Sequence, residues 1–188
     1  RTGLVSGSSS SATVTGVYEI GGLAGRNENG GEITDSTATG TVEGNSNVGG
    51  LVGVNSEGTI SSSWAEGSVN SLVTAPEGED EYYFAGGLVG FNYAGTISSS
   101  YASGTVTSVN RFVGGLVGGS HASGVIENSY ATGDIYAESV AQTNFVGGLV
   151  GFLWDSSITN SYASGQITGN GLLGGLVGSD YEGLGTLT

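Results

Sequence analysis

The sequence predicts an all-β protein, a parallel β-solenoid (β-helix) of about six coils with roughly 28 residues in each coil. Three observations predict this fold: a repeat runs through all 188 residues, every repeat carries a glycine pair, and apolar residues alternate with polar ones. A repeat of this length cannot bury its apolar face alone, so it must stack on its neighbours. We therefore expect residues 1–188 to form a single domain.

The repeat is defined by an apolar residue that is followed nine positions later by Val or Ile, as in ISSSYASGTV at 97–106. The units start at Val5, Ile33, Ile60, Ile97, Ile126 and Ile158, and a partial seventh unit starts at Leu187. The length of the units varies mainly between the last Val or Ile and the glycine pair. We therefore expect the insertions to form loops at one edge of the solenoid.

Two sets of residues recur at fixed places and predict structural columns along the solenoid. A serine stands three positions after each starting residue: Ser8, Ser36, Ser63, Ser100, Ser129 and Ser161. The glycine pairs are Gly21 and Gly22, Gly49 and Gly50, Gly86 and Gly87, Gly114 and Gly115, Gly147 and Gly148, and Gly174 and Gly175. Glycine fits a corner with positive φ or a close approach of two walls. A phosphate-binding glycine loop is disfavoured, because it needs a following helix and usually a Lys, which this chain lacks.

Strand alternation predicts four aromatic residues in one outward column: Trp64, Tyr101, Tyr130 and Tyr162. We call this column the aromatic stripe. The structural interpretation is a ladder that stabilises adjacent strands by cross-strand contact. The functional interpretation is a surface that stacks on sugars or on another copy of the chain, because contiguous exposed apolar patches usually mark contacts.

Further columns are polar. One column follows the glycine-rich segment of successive units and consists of Asn27, Asn55, Asn92, Ser120, Leu153 and Asp180. Stacked amides in such a column can bond to one another. Two outward columns are rich in Thr and Ser but are interrupted by Glu66, Asp134 and Gln166. A regular threonine array would suggest an ice-binding protein, which we keep as a third functional hypothesis.

The longest insertion contains four carboxylates, Glu77, Glu79, Asp80 and Glu81. Clustered carboxylates can bind Ca²⁺, but neither an EF-hand nor a calcium-binding β-helix repeat is present. We therefore favour a solvated acidic loop, with Ca²⁺ as the alternative, and expect no other cofactor.

Charge and composition exclude several classes of function. The chain has 3 Lys plus Arg against 17 Asp plus Glu, which gives a net charge of −14. This charge disfavours binding to nucleic acids and to anionic membranes. The uncharged run at 156–179 is rich in Ser, Asn and Gly, so we expect no insertion into a membrane. With one His, no Cys and no Lys, few bases or nucleophiles exist, and we expect no catalytic residues and no enzymatic activity.

The pattern GGLVGxN followed by GTISSSYASGTV resembles the GLUG-motif repeat of bacterial surface and secreted proteins, most clearly between Gly49 and Gly178. The motif occurs in adhesin-like proteins and beside peptidase domains in secreted IgA-cleaving enzymes. The resemblance implies an extracellular or cell-surface setting and an accessory role. It brings no catalytic residues, and the zinc-binding pattern HExxH is absent.

These observations together predict a non-enzymatic extracellular structural or adhesive β-solenoid. Because the chain begins and ends at equivalent places of the repeat, it either stacks head to tail with itself into a surface fibre or is part of a longer array. The runner-up function is a carbohydrate-binding adhesin module that contacts a glycan or host surface through the aromatic stripe. Both alternatives stay open at the level of sequence.

Overall fold

Each repeat forms one coil of five short strands, and equivalent strands of successive coils pair in parallel to form five sheets. The computed structural model describes residues 3–71, 83–138, 144–183 and 185–188. The predicted parallel β-solenoid of about six coils is confirmed. We name the sheets A to E in the order in which one coil passes through them.

Sheets A, B and C contain the serine corner and the Val or Ile that ends each motif. Sheet A comprises Leu4–Ser6, Glu32–Thr34, Thr59–Ser61, Thr96–Ser98, Val125–Glu127, Ser157–Thr159 and Thr186–Leu187. Sheet B comprises Ser9–Ser10, Thr37–Ala38, Trp64–Ala65, Tyr101–Ala102, Tyr130–Ala131 and Tyr162–Ala163. Sheet C comprises Val14–Thr15, Val42–Glu43, Val69–Ser71, Val106–Ser108, Ile135–Ala137 and Ile167–Gly169.

Sheets D and E flank the glycine pairs. Sheet D comprises Tyr18–Gly21, Ser46–Gly49, Phe84–Gly86, Phe112–Gly114, Phe145–Gly147 and Leu172–Gly174. Sheet E comprises Ala24–Glu28, Val52–Ser56, Val89–Tyr93, Val117–His121, Val150–Leu153 and Val177–Asp180. A short 3₁₀ turn, Tyr181–Gly183, follows sheet E. In the described ranges no helix is long and apolar enough to cross a membrane.

The interior consists of columns of identical or similar apolar residues. Ile60 lies beside Ile97 and Ile97 beside Ile126 in sheet A, and all three are fully buried. A second group of Val and Ile residues from sheets C and D fills the other part of the coil. Because each buried residue stacks on its equivalent in the next coil, the register of the strands is set by burial.

The serine column turns the chain between sheets A and B. The hydroxyl of Ser100 donates to the carbonyl of Ser98 at 2.8 Å, and its oxygen accepts the backbone N–H of Ser63 at 3.2 Å. The same pair of bonds recurs at Ser36, Ser63 and Ser129. Each hydroxyl thus satisfies a corner carbonyl of its own coil and a corner N–H of a neighbouring coil, and the bonds to Ser36, Ser63 and Ser100 N–H are buried.

The residue before each serine has a left-handed conformation, with φ between 48° and 50° at Asp35, Ser62, Ser99, Asn128 and Asn160. Asn and Asp tolerate this region better than most residues because their side chains can bond locally. The corner therefore combines a strained residue with a serine that holds it in place.

The glycine pairs lie where two walls of the coil approach each other, and none of them has a positive φ. A Cβ at Gly115 would overlap the carbonyl oxygen of Gly148 in the next coil and would come to 3.0 Å from the Cβ of Ala131. Of the two reasons that the sequence offered for these glycines, close approach holds, and the positive-φ corner does not.

Sheets D and E also pack closely on each other. A Cβ at Gly90 of sheet E would lie 2.5 Å from the backbone carbon of Asn47 and 2.8 Å from the nitrogen of Val48, both in sheet D. Equivalent glycines at Gly53, Gly118 and Gly151 meet sheet D in the same way. The third glycine of each GGLVG segment is therefore needed for the contact between these two sheets.

We predict that Gly115→Ala destabilises the fold by about 3 kcal/mol, because the added methyl group forces two coils apart. The matched control is Gly175→Ala in the last coil, where a Cβ would meet nothing within 4 Å. This control should change the free energy of unfolding by less than about 0.5 kcal/mol. Denaturant unfolding measures both values, and equal effects of the two substitutions would contradict the close-approach explanation.

Candidate functional site

The aromatic stripe lies on sheet B, and its four rings stack in one continuous pile. The ring centroids are 5.8 Å apart for Trp64 and Tyr101, 4.9 Å for Tyr101 and Tyr130, and 5.1 Å for Tyr130 and Tyr162. The planes of neighbouring rings differ by 6° or less. The ring faces are therefore turned towards each other along the solenoid, and the stripe presents mainly ring edges to solvent.

This geometry bears on both interpretations of the stripe. A sugar that stacks on an aromatic residue needs a free ring face. Tyr101 and Tyr130 each have a stacked ring of the stripe on both faces. Burial raises the pKa of the Tyr101 phenol, and the nearby carboxylate of Glu66 adds to the rise. The Tyr101 hydroxyl lies 3.5 Å from a carboxylate oxygen of Glu66. These contacts fit a ladder that stabilises sheet B.

The four carboxylates proposed as a weak Ca²⁺ site, Glu77, Glu79, Asp80 and Glu81, lie outside the described residues. In the described part of the chain, no group of three or more His, Asp or Glu side chains could hold a metal ion. The calcium hypothesis therefore stays a prediction.

The asparagine column forms a hydrogen-bonded ladder inside the coil. The amide of Asn27 donates to the amide oxygen of Asn55 at 2.9 Å, and Asn55 donates to Asn92 at 2.8 Å. The amide of Asn92 in turn donates a hydrogen bond to the hydroxyl oxygen of Ser120 at 3.2 Å. Each amide also bonds a turn carbonyl of its own coil, for example Asn55 to Gly58. The predicted bonding between stacked amides is confirmed, and its role is to close turns.

A second aromatic cluster, which was not predicted, lies where sheet D begins and sheet E ends. Phe84, Phe112 and Phe145 start successive strands of sheet D, and their ring centroids are 5.0 Å and 5.4 Å apart. Phe91 and Phe152 come from sheet E and pack on them, with centroids 4.5 Å from Phe84 and 4.7 Å from Phe112. These rings form an apolar cluster separate from the two clusters of the coil interior.

One small residue shapes this cluster. Gly119 stands between Phe91 and Phe152 in one column of sheet E. A Cβ at Gly119 would overlap the ring of Phe84, so this ring lies directly over the glycine. Phe84 thus forms the floor of a depression whose two ends are Phe91 and Phe152.

This depression is a pocket of about 320 Å³, which we call the central pocket. Besides the three phenylalanines, Tyr93, His121, Trp154 and Asn47 line it. His121 stacks on Trp154 with ring centroids 4.1 Å apart and planes 9° apart, and Tyr93 meets His121 edge-on at 5.7 Å. The walls are thus almost entirely aromatic.

Two polar atoms of the central pocket lack hydrogen-bond partners. The amide oxygen of Asn47 and the Nδ1 atom of His121 are both buried and unpaired. Buried polar atoms are nearly always paired, because leaving one without a partner costs about 1–3 kcal/mol. Neither atom is accessible to solvent, so a ligand in the pocket could not bond to them without a rearrangement of the lining.

A neighbouring pocket of about 250 Å³, which we call the distal pocket, shares Phe152 and Trp154 with the central one. Phe112, Phe145, Tyr181, Ser179 and Arg111 complete its lining. The guanidinium carbon of Arg111 lies 5.2 Å from the ring centre of Phe112 and 5.5 Å from that of Phe145, within the range of a cation–π contact. The two pockets together form what we call the aromatic groove.

The comparisons with known proteins agree with this architecture. The model of the GLUG motif matches residues 16–43, 83–107, 113–136 and 146–168, more than half of the chain, so the chain belongs to the GLUG-motif family. The structure is similar to a solved structure named IgA1 Protease, with a TM-score of 0.76 and 27% sequence identity. That similarity covers 98% of this chain but only 15% of the other. No curated protein matches.

We predict that the imidazole of His121 titrates below its ordinary pKa of 6.5, because burial disfavours the charged form. Asp155 opposes part of this effect, so Asp155→Asn should lower the pKa further. The chain has a single His, so one NMR signal reports the titration. Since the unfolded chain binds this proton more readily than the folded chain, the free energy of unfolding should decrease as the pH falls below about 6.5. A His121 pKa above 6.5, or a His121 pKa that is higher in the Asp155→Asn variant than in the unaltered protein, would contradict this explanation.

Proposed function

We propose that this chain is a rigid, non-enzymatic structural module of a longer secreted or cell-surface bacterial protein. The observation that carries the proposal is the continuity of the hydrogen-bonded and close-packed columns through the successive coils, from Ser8 to Ser161 and from Asn27 to Ser120. A stack held at every corner resists bending and holds whatever lies at its two ends at a fixed separation.

The comparisons support this role. The similar region is a small part of the protein named IgA1 Protease, as expected for a module that accompanies other domains. Membership of the GLUG-motif family and this similarity also support a secreted setting.

In the organism that makes the protein, antibodies against this chain should bind to the surface of intact cells or detect the protein in the culture medium.

Carbohydrate binding by the aromatic stripe receives less support from the geometry. The stacked rings of Trp64, Tyr101 and Tyr130 offer edges, and the exposed outer face of Tyr162 is a single platform. Head-to-tail stacking into a fibre and ice binding stay hypotheses.

The proposal predicts that two points on the rod keep a single, narrow distance. Ser11 and Ser164 occupy the same exposed column five coils apart, so their Cα atoms should be separated by about 24 Å at the usual strand spacing of ~4.8 Å. Because the chain has no Cys, Ser11→Cys with Ser164→Cys allows clean spin labelling and distance measurement by electron paramagnetic resonance.

The matched control is Ser11→Cys with Thr132→Cys, which should be shorter by one coil, about 4.8 Å. A narrow distribution in both pairs, with this difference, supports a rigid module. A broad distribution that overlaps between the two pairs would show a flexible chain and would overturn the proposed function.

A further inference from the structure

The rings that line the central pocket lie around it at different inclinations. His121 and Trp154 form a stacked pair, with planes 9° apart. The plane of Tyr93 stands at 86° to that of His121, and the plane of Phe152 stands at 71° to that of Trp154. Rings that meet at such angles enclose a space, whereas the parallel rings of the aromatic stripe cover one another. The central pocket can therefore surround one compact group with aromatic surface.

Aromatic walls attract cations as well as apolar groups, because the face of an aromatic ring carries partial negative charge. The same cluster of rings already holds one cation, since the guanidinium of Arg111 lies over Phe112 and Phe145 in the distal pocket. Neither Arg nor Lys is among the described residues that line the central pocket, although the two pockets share Phe152 and Trp154. The central pocket is therefore the place for a second, external cation.

The charges around the central pocket have both signs. The protein as a whole has a net charge of −14, which raises the local concentration of cations. Asp155 follows Trp154 directly, and its carboxylate acts on His121 by opposing the decrease that burial causes in the imidazole pKa. Because burial lowers this pKa, His121 is uncharged near neutral pH and does not repel a cation. Arg111 acts against a cation, so the attraction by Asp155 has to be measured directly.

The kind of cation is limited by the hydrogen bonds that the pocket can offer. The amide oxygen of Asn47 and the Nδ1 atom of His121 are inaccessible, and most of the remaining lining is aromatic carbon. A primary ammonium group brings three N–H donors, which would lose water without gaining acceptors. A quaternary ammonium group has no N–H donor, so aromatic rings alone can enclose it. The lining therefore favours a quaternary over a primary ammonium group.

We propose that the central pocket binds a trimethylammonium group, as carried by choline and its derivatives, between Tyr93, Phe152 and the stacked pair of His121 and Trp154. This site is additional to the proposed function as a rigid module. A stiff rod whose pocket stays empty would overturn the binding site and leave the module intact.

The test compares choline with 3,3-dimethyl-1-butanol, in which a carbon atom replaces the charged nitrogen and the shape is unchanged. The chain has two Trp residues, so Trp64→Phe leaves Trp154 as the single fluorescent reporter. Each compound is titrated at constant ionic strength, because salt screens the attraction by exposed carboxylates. Saturation-transfer NMR on the methyl signal of each compound gives a second measurement that does not depend on Trp154. Ethanolamine, a primary ammonium compound, is the third probe.

Two variants in the Trp64→Phe background test the walls of the pocket and its charge. Tyr93→Leu removes a ring but keeps an apolar side chain, and should weaken choline binding about fivefold. Its matched control is Tyr136→Leu on sheet C, because the two tyrosines are similarly exposed, at 41% and 44%. Asp155→Asn should weaken choline binding about threefold. Its control is Glu43→Gln, which removes the same charge from an exposed position on sheet C.

Saturable binding of choline, about tenfold tighter than binding of 3,3-dimethyl-1-butanol and of ethanolamine, supports the proposal if Tyr93→Leu and Asp155→Asn weaken it and the two control variants do not. Equal binding of choline and the uncharged analogue would overturn it, as would the absence of choline binding in both measurements. Circular dichroism checks that each variant is folded. Co-sedimentation with phosphatidylcholine vesicles, in addition to choline binding, would identify a lipid headgroup as the source of the trimethylammonium group, and choline binding alone would identify a small solute.

Discussion

The fold depends on one constraint: every coil must satisfy the buried polar groups of its corners with the help of the next coil. The serine column meets this need between sheets A and B, where each hydroxyl serves a carbonyl of its own coil and an N–H of a neighbour. The asparagine ladder meets it at the turns that follow sheet E. Since both devices act between coils, no coil is complete alone. The serine returns at the same place in each repeat, whereas the asparagine column changes to Ser120, Leu153 and Asp180 in the later coils.

The glycine columns add a steric constraint that leads to the groove. Because Gly90 and its equivalents let sheets D and E approach to backbone contact, the starts of the D strands come close to the ends of the E strands. The large rings at those places cannot enter the coil interior, so they pack on one another outside it. The groove is thus a consequence of the packing of two sheets.

Much of the fold could be predicted from the sequence because the repeat carries it. The fixed interval from Ile97 to Val106 and the constant Ser100 mark one coil, and strand alternation places Tyr101 in the outward stripe. The groove was missed because its rings come from two places in each unit, before the glycine pair and after it. Phe112 and Phe145 do recur two residues before the glycine pair, a signal in the sequence. Their contact with Phe152 appears only once sheets D and E are packed.

The most direct test of the account is hydrogen exchange of single amides in Ser100→Ala. This substitution removes the acceptor of the Ser63 N–H and should leave that buried group unpaired, at a cost of about 1–3 kcal/mol. We expect the amide of Ser63 and those of the adjoining corner to exchange faster, while Ser103→Ala on the exposed face of the same coil changes nothing. Unchanged protection of Ser63 in Ser100→Ala would contradict the claim that the serine column holds successive coils together.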